Sequence, residues 1–189
     1  MTLEEATARV LDVLNELETP YVLVGALSVN YYGLVRSTHD ADFVADFSRV
    51  QVAAIMEKVG TDFRLDPQVS FESATGTTRY IIHCLGSPQA PLQIEFFRLS
   101  DDEFDQQRFA RRRKVRVLGR PAYLLTAEDV VVTKLRWHRA LKRSKDKDDA
   151  RGVIAVQGDS LDWDYIRRWC DLHGTRELLE VVRASIPPI

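Results

Sequence analysis

The chain has few of the features that mark disulfide-bonded, secreted or membrane-spanning proteins. Its 189 residues include only two cysteines, Cys84 and Cys170, which offer neither a disulfide framework nor a metal-ligand spacing. No apolar run approaches the roughly 20 residues that a bilayer crossing requires. The first helix-like segment carries Glu4, Glu5 and Asp12, so it lacks the basic start and the unbroken apolar stretch of a secretory signal. We therefore expect a cytoplasmic protein that does not enter a membrane.

A large excess of charge of either sign is also missing. The formal net charge is −2, which argues against a protein that coats nucleic acid through bulk electrostatics. Basic residues are nevertheless concentrated in segments 108–120 and 134–147. Two local clusters on a nearly neutral chain suit a polyanionic ligand bound at one place, although two solvated faces would give the same pattern.

Apolar periodicity predicts an α+β protein with a mixed sheet, flanking helices and a helical C-terminal part. Thr2 and Glu5 form a capping-box pattern for a first helix that ends before Pro20. Strands are expected near 21–24, 41–45, 63–71, 77–84 and 92–98, and as a hairpin of 114–118 with 122–125. Further helices are expected near 26–32, 48–59, 126–141, 145–156, 163–172 and 176–185. Residues 1–125 are thus predicted to form the α+β core, with 126–189 as a helical subdomain packed on it.

Three carboxylates occupy positions where strand alternation brings them out of the core. Residues two apart on a strand point the same way, so Asp40 and Asp42 share a face. In the segment 92–97 the apolar positions 92, 94 and 96 face the core, and Glu95 must then point away from it. If the two strands are neighbours, the three carboxylates converge. Such a cluster repels itself unless it holds a cation, and oxygen-only ligands favour Mg²⁺ or Mn²⁺.

The segment before these carboxylates is suited to a phosphate group. An apolar strand runs into Gly25, and Ala26 and Ser28 open the next helix. A turn of small residues at a helix N-terminus presents free backbone N–H groups and the positive end of the helix dipole. The acid-x-acid spacing occurs several times in this chain and does not identify a site by itself. The preceding strand and small-residue turn are what distinguish Asp40 and Asp42 as candidate site residues.

This succession of strand, small-residue turn, helix and Asp-x-Asp strand resembles the polymerase-beta-type nucleotidyltransferase superfamily. The closer likeness is to the AbiEii-type toxin nucleotidyltransferases. Their pattern of Gly-Gly, a helix and Gly-x-x-Arg-x-Thr-x-Asp-x-Asp is matched by Gly25, Gly33, Arg36, Thr38, Asp40 and Asp42. Their later Lys-Leu and Lys-Asp-x-x-Asp elements look like Lys134-Leu135 and Lys145-Asp146-Lys147-Asp148-Asp149. The likeness covers about residues 20 to 155.

The resemblance implies a metal-dependent enzyme that moves a nucleoside monophosphate from a nucleoside triphosphate to an acceptor hydroxyl. Asp40, Asp42 and Glu95 would be catalytic and would hold Mg²⁺ or Mn²⁺. The nucleotide contacts would be Gly25, Ala26, Arg36, Thr38, Lys134, Lys145 and Asp149. Ser28 could add a hydroxyl, although it lies one residue too late to be the family's serine. The likeness to toxins further implies an RNA acceptor, such as tRNA, and an antitoxin protein as a partner.

A second interpretation stays open. Ala26 stands where the family has glycine or serine, and its methyl group lies where phosphate would approach. That departure favours a nucleotide-binding or protein-interaction module with weak or no catalysis. Simpler roles also remain for two of the supporting positions, since Thr38 could cap a turn and Lys145 could form an i,i+4 pair with Asp149.

Overall fold

A computed structural model describes residues 1–46, 49–72, 76–86 and 91–187. Both helices and strands occur as far as residue 124, and helices alone follow. The helices are α1 (Leu3–Glu16), α2 (Gly25–Tyr32), α3 (Arg49–Val59), α4 (Glu103–Ala110), α5 (Ala127–Leu141), α6 (Ser144–Gln157), α7 (Trp163–Leu172) and α8 (Arg176–Ala184), with a 3₁₀ turn at Gly158–Ser160. No helix in these ranges combines the length and apolar character that a membrane crossing needs.

The strands of the described residues form one mixed sheet. They are β1 (Tyr21–Val24), β2 (Asp40–Ala45), β3 (Phe63–Leu65), β4 (Ser70–Glu72), β5 (Thr77–Cys84), β6 (Leu92–Arg98), β7 (Arg113–Val117) and β8 (Arg120–Leu124). Their order is β3-β5-β6-β2-β1-β8-β7, and β4 also pairs with β5. The pairs β2–β6 and β1–β8 are parallel, whereas the other pairs are antiparallel. The expected mixed sheet with flanking helices and helices at the C-terminal end is confirmed.

Local signals in the sequence explain several element boundaries. The capping box at α1 is present in full: Thr2 Oγ1 accepts from the Glu5 amide, and Glu5 accepts from the Thr2 amide. Thr126 likewise caps α5 by accepting from the Asp129 amide. Strands β5 and β6 cover the segments expected from alternation. The expected helix start at residue 48 lies outside the described residues. So do Ser87, Pro88 and Ala90, which the sequence predicts to form a turn with Gly86 and Pro91.

Three features of the secondary structure differ from the sequence-based expectation. The strand expected over 63–71 is broken into β3 and β4, because Pro67 has no amide to donate and Asp66 accepts from the Gln68 amide in a turn. The β7–β8 turn falls at Leu118 and Gly119, where both φ angles are positive (50° and 77°), as two-residue hairpins favour. Helix α4 was not expected, although its cap Asp102 accepts from the Asp105 amide.

The chain divides into two compact units. The first contains Met1–Leu27 and Ser37–Leu124, which include the whole sheet. In it, α1 packs on β2, β6 and β8 and against α3. The second contains Ser28–Arg36 and the chain from Leu125 onward, in which α5 packs against α6 and α7, and α8 against α6 and α7. Helix α2 contributes its first three residues to the first unit and its remaining residues to the second.

An aromatic cluster lies on one face of the central strands of the first unit. Phe43 on β2 and Phe96 on β6 stack with their ring centroids 5.2 Å apart, and Tyr21 on β1 meets Phe43 edge-on at 5.9 Å. All three side chains are almost completely buried. Burying three aromatic rings contributes several kcal/mol in all, about 2 kcal/mol for each ring. On the opposite face of β2 and β6, the buried side chains of Val44 and Phe97 lie beside partly exposed polar positions.

Candidate active site

The strand register places Asp40, Asp42 and Glu95 on one face of the sheet. Parallel strands β2 and β6 align Asp42 with Glu95, and Asp40 with Gln93. Residues aligned on neighbouring strands point to the same face, and so do residues two apart on one strand. Ala41, which lies between the two aspartates, confirms the alternation, because it is fully buried while Asp40 and Asp42 are partly exposed. The three carboxylates thus share the face opposite the aromatic core.

Gly25 brings the backbone of the β1–α2 turn against one of these carboxylates. Its φ is +63°, in the left-handed region that favours glycine. A Cβ at this position would lie 1.9 Å from Asp42 Oδ2. The register explains the approach, since Val24, the residue before Gly25, is paired with Asp42 across β1 and β2. The glycine is therefore required both by its backbone angle and by the closeness of the Asp42 carboxylate.

Thr38 fixes the other aspartate of the strand. The Thr38 hydroxyl donates a hydrogen bond to Asp40 Oδ1. Thr38 Oγ1 also lies 3.3 Å from the backbone carbonyl oxygen of Asp40. A hydrogen bond to a carboxylate is stronger than one between neutral groups, so it limits the orientations that Asp40 adopts.

Arg79 is a neighbour of the site that sequence reasoning missed. Its Nη1 donates to Glu95 Oε2 at 3.1 Å, and 12% of the Glu95 side chain is exposed. Strand β5 pairs Ile81 with Glu95, so Arg79, two residues away, lies diagonally across on the same face. Alternation alone could not reveal this contact, because it depends on the pairing register of β5 with β6.

The surroundings of Glu95 oppose its ionisation. Burial raises the pKa of Glu95 above its ordinary value, and the negative charges of Asp40 and Glu72 act in the same direction, while Arg79 lowers it. The net direction is upward. A carboxylate held among other carboxylates in this way gains from a nearby cation.

The donor set fits a divalent metal in chemistry and in placement on one face. All three groups are carboxylates, the hard oxygen donors that Mg²⁺ and Mn²⁺ prefer. In the ranges that the structure describes, no three His, Cys, Asp or Glu side chains are gathered closely enough to hold a metal ion as they stand. The third carboxylate, Glu95, is instead paired with Arg79.

Arg36, Lys134 and Asp149 form an ionic network within the second unit. Asp149 is buried and accepts from Arg36 through both carboxylate oxygens, at 2.7 and 3.1 Å. Lys134 Nζ lies 2.8 Å from Asp149 and 3.0 Å from Asp146. Asp146, which is fully buried, also pairs with Arg143 at 2.7 Å. Hydrogen bonds and positive charge from Arg36 and Lys134 lower the pKa of Asp149, although burial by itself would raise it.

The remaining candidate residues lie in different surroundings. Lys145 is exposed at the start of α6, whereas Asp149 is turned inward to Arg36 and Lys134. Ala26 and Ser28 are both buried, at 3% and 1% exposure. Ala26 belongs to the first unit with Gly25, and Ser28 to the second.

The basic segment 108–120 is only partly a surface. Arg108 is buried and pairs with Asp105 at 2.8 Å, while Arg120 pairs with Asp12 at 2.8 Å. Arg112 lies over the rings of Phe109 and Tyr123. The residues exposed to solvent on β7, at one end of the sheet order, are Arg113, Lys114 and Arg116.

Comparisons with known proteins find similarity in structure but not in sequence. No family model matches the chain, and no curated protein does. Among solved structures, the antibiotic-resistance factor ANT(2'')-Ia matches with a TM-score of 0.60 at 12% identity, covering 96% of each chain. The same factor in complex with adenylyl-2''-tobramycin matches with a TM-score of 0.59 at 13% identity, covering 92% of this chain and 98% of that one.

A third solved structure is an antigenic nucleotidyltransferase-like protein from Paracoccidioides brasiliensis. It matches with a TM-score of 0.60 at 18% identity, covering 98% of this chain and 94% of that one. These likenesses extend over nearly the whole length of each chain, which a shared local motif would not produce. The chain therefore has a nucleotidyltransferase fold.

Proposed function

We propose that this protein transfers a nucleoside monophosphate from a nucleoside triphosphate to an acceptor hydroxyl, using Mg²⁺ or Mn²⁺. In this reaction the acceptor oxygen forms a bond to the α-phosphorus, the bond from that phosphorus to the bridging oxygen breaks, and pyrophosphate leaves. The observation that carries the proposal is the register that aligns Asp42 with Glu95 and places Asp40 on the same face. Three acidic side chains on one sheet face repel one another, and a cation bound between them relieves that repulsion.

Each carboxylate has a role in this proposal. Asp40 and Asp42 hold the metal, and Glu95 completes its ligands and favours removal of the proton from the acceptor hydroxyl. A bound divalent metal supplies charge neutralisation for the triphosphate and lowers the pKa of a coordinated hydroxyl. Thr38 keeps Asp40 oriented, and Gly25 leaves room for the Asp42 carboxylate.

The nucleotide contacts are proposed from two sources. Gly25 and Ala26 open α2 directly after β1, where free amides and the helix dipole suit a phosphate. Ser28 is included for its hydroxyl, although it lies one residue too late to be the family's serine. Arg36, Thr38, Lys134, Lys145 and Asp149 are included because they match the nucleotidyltransferase pattern. Lysine and arginine side chains among them would offset triphosphate charge.

The acceptor is proposed by analogy. The resemblance to AbiEii-type toxins suggests RNA, such as tRNA, with an antitoxin protein as a partner and a cytoplasmic location. The solved neighbour ANT(2'')-Ia carries adenylyl-2''-tobramycin, in which a small molecule bears the nucleotide. Both acceptor classes supply a hydroxyl, so the test includes both.

A second function is favoured by Ala26. This residue is buried beside Gly25, and its methyl group reduces the room for a close phosphate. A member of the fold with weak or no catalysis would bind the nucleotide without releasing pyrophosphate. Binding without transfer distinguishes this alternative from the enzyme.

Label transfer tests the enzymatic proposal directly. The protein is incubated with Mg²⁺ and each of the four α-³²P-labelled ribonucleoside triphosphates, together with total RNA, tRNA or aminoglycosides. We expect label to become attached to one acceptor class, with release of pyrophosphate. Asp40→Asn and Asp42→Asn should reduce the rate on the order of 100-fold or more, because the substitutions remove charge that acts on the transition state.

Asp46→Asn is the matched control, because Asp46 follows the same strand but is exposed beyond its end. It should transfer label at the wild-type rate. Unchanged transfer by folded Asp40→Asn and Asp42→Asn proteins would refute the assignment of the carboxylates. Nucleotide binding with no transfer to any acceptor would support the alternative.

A further inference from the structure

The pair between Arg79 and Glu95 occupies the carboxylate that the proposed metal needs. Arg79 Nη1 lies 3.1 Å from Glu95 Oε2. Only 12% of the Glu95 side chain and 29% of the Arg79 side chain are exposed, so water screens the pair less than it screens a surface pair. Three carboxylates share the face, but they are not gathered at metal-binding distances among the described residues. The contact that Glu95 makes instead is with this guanidinium.

The guanidinium is also incompletely satisfied. Arg79 Nε is buried and has no hydrogen-bond partner in the described part of the chain. A buried donor without a partner costs free energy, about 1–3 kcal/mol. The site therefore retains an unsatisfied donor beside Glu95. Arg79 offers one bond to Glu95, whereas a guanidinium is built for two parallel bonds to a carboxylate.

The charges around the pair favour a cation at this position. Asp40 and Glu72 both act on Glu95 electrostatically, so the face holds more negative than positive charge near it. Arg79 supplies one positive charge to this cluster. It thereby reduces the repulsion that would otherwise act on the site before a metal binds.

We propose that Arg79 is a positioning residue that stands in for the metal at Glu95 and is exchanged for the cation when the site is loaded. This inference rests on the proposed function. Before loading, Arg79 holds Glu95 and keeps the carboxylates from repelling one another. During loading, Glu95 exchanges its bond to Arg79 for a bond to the cation. Arg79 therefore raises the cation concentration at which the site fills.

The consequence is a competition that can be measured without turnover. Removing the guanidinium leaves Glu95 available, and the apparent affinity for the cation should rise. The gain should disappear when Glu95 has no charge, because Arg79 acts through that carboxylate. Comparing Arg79→Gln, Glu95→Gln and the double variant therefore isolates the effect of the Arg79–Glu95 contact on cation affinity.

The experiment measures Mn²⁺ binding by electron paramagnetic resonance of the free ion, with no nucleotide and no acceptor. Arg79→Gln should bind Mn²⁺ roughly three- to tenfold more tightly than the wild type, the range expected for removing a partly buried competing charge. Arg79→Lys keeps the charge and should remain near the wild type. Glu95→Gln should bind weakly, and Arg79→Gln in that background should bring little or no gain.

Arg64→Gln is the control for the loss of one positive charge elsewhere on the protein, because Arg64 is exposed on β3 of the same sheet. It should leave the affinity unchanged. Circular dichroism and thermal unfolding establish that every variant is folded. A folded Arg79→Gln protein that binds Mn²⁺ no more tightly than the wild type, or gains equally without Glu95, would overturn the inference and leave the proposed function standing. Absence of Mn²⁺ binding by the wild type would overturn both.

Discussion

Single side chains in the candidate site are held by contacts that few substitutions would preserve. Gly25 has a left-handed backbone angle and lies against the Asp42 carboxylate. Thr38 donates to Asp40, and Arg79 donates to Glu95. Each carboxylate of the site thus has a defined neighbour in the first unit. Activity at this scale should depend on shape and hydrogen bonding as much as on charge.

Gly25→Ala should impair both stability and label transfer. The new Cβ would lie 1.9 Å from Asp42 Oδ2, so the carboxylate or the β1–α2 turn must move. We expect a loss of unfolding free energy greater than the 1–2 kcal/mol or so of left-handed strain alone, and a loss of transfer. Denaturant unfolding and the label-transfer assay give the two values.

Gly119→Ala provides the comparison for that substitution. Gly119 also has a positive φ, 77°, but a Cβ there meets nothing within 4 Å. It should cost only the strain and leave transfer intact. Equal effects of the two substitutions would contradict the role assigned to the contact with Asp42.

Thr38→Val should slow transfer with little effect on folding. The substitution keeps the shape of the side chain but removes the hydroxyl that donates to Asp40. A hydrogen bond to a charged group contributes about 1.5 kcal/mol, so we expect a rate lower by about tenfold. Thr38→Ser retains the donor and should keep most of the rate. The assignment fails if the valine and serine variants have the same kinetics.

Helices α5 and α6 are joined by ionic pairs that are largely hidden from water. Lys134 on α5 contacts Asp146 and Asp149 on α6, and Asp149 also forms an ion pair with Arg36. Removing one partner of a buried pair leaves the other charge uncompensated. The stability of the second unit should therefore depend on pH through Asp149, because Arg36 and Lys134 lower the pKa of this carboxylate against the effect of burial.

Asp149→Asn should lower stability most at neutral pH. The pKa of Asp149 is lowered in the folded protein by Arg36 and Lys134, against the effect of burial. The stabilisation is therefore present above the ordinary aspartate pKa and is lost as pH falls through the folded value. We expect a loss of about 3 kcal/mol near pH 7 that shrinks under acid conditions. Urea unfolding of both proteins across the pH range measures it.

Asp148→Asn serves as the neighbouring control, since Asp148 is exposed on the same helix. It should change stability little at any pH. A constant difference between the wild type and Asp149→Asn from neutral to acid pH would show that ionisation of Asp149 does not stabilise the fold.

At the scale of the whole molecule, ligand binding should appear as a shift in thermal unfolding. A ligand that binds only the folded state stabilises it, by about 2.7 kcal/mol at 100 times its dissociation constant. For a chain of this length we expect the melting temperature to rise by about 5–10 °C with Mg²⁺ and the preferred nucleotide together. Scanning fluorimetry with each component alone and combined gives the comparison. A combined shift no larger than with Mg²⁺ alone, or retained in Asp40→Asn, would contradict the proposed site.

The sequence by itself determined the elements and the faces on which residues lie. Alternation and capping are local properties, so β5, β6 and the caps of α1 and α5 follow from residues close together in the chain. The same alternation placed Asp40 and Asp42 together and turned Glu95 away from the core. Where local signals were weak or competed, as at Pro67 and in α4, the sequence-based boundaries were wrong.

Only the tertiary structure decided which strands are neighbours and which charges meet. The alignment of Asp42 with Glu95 depends on the parallel pairing of β2 with β6, and the contact from Arg79 depends on the register of β5. The pairing of Asp149 with Arg36 joins residues 113 positions apart. Such contacts are set by how the whole chain buries its apolar surface, and no periodicity within a short segment specifies them.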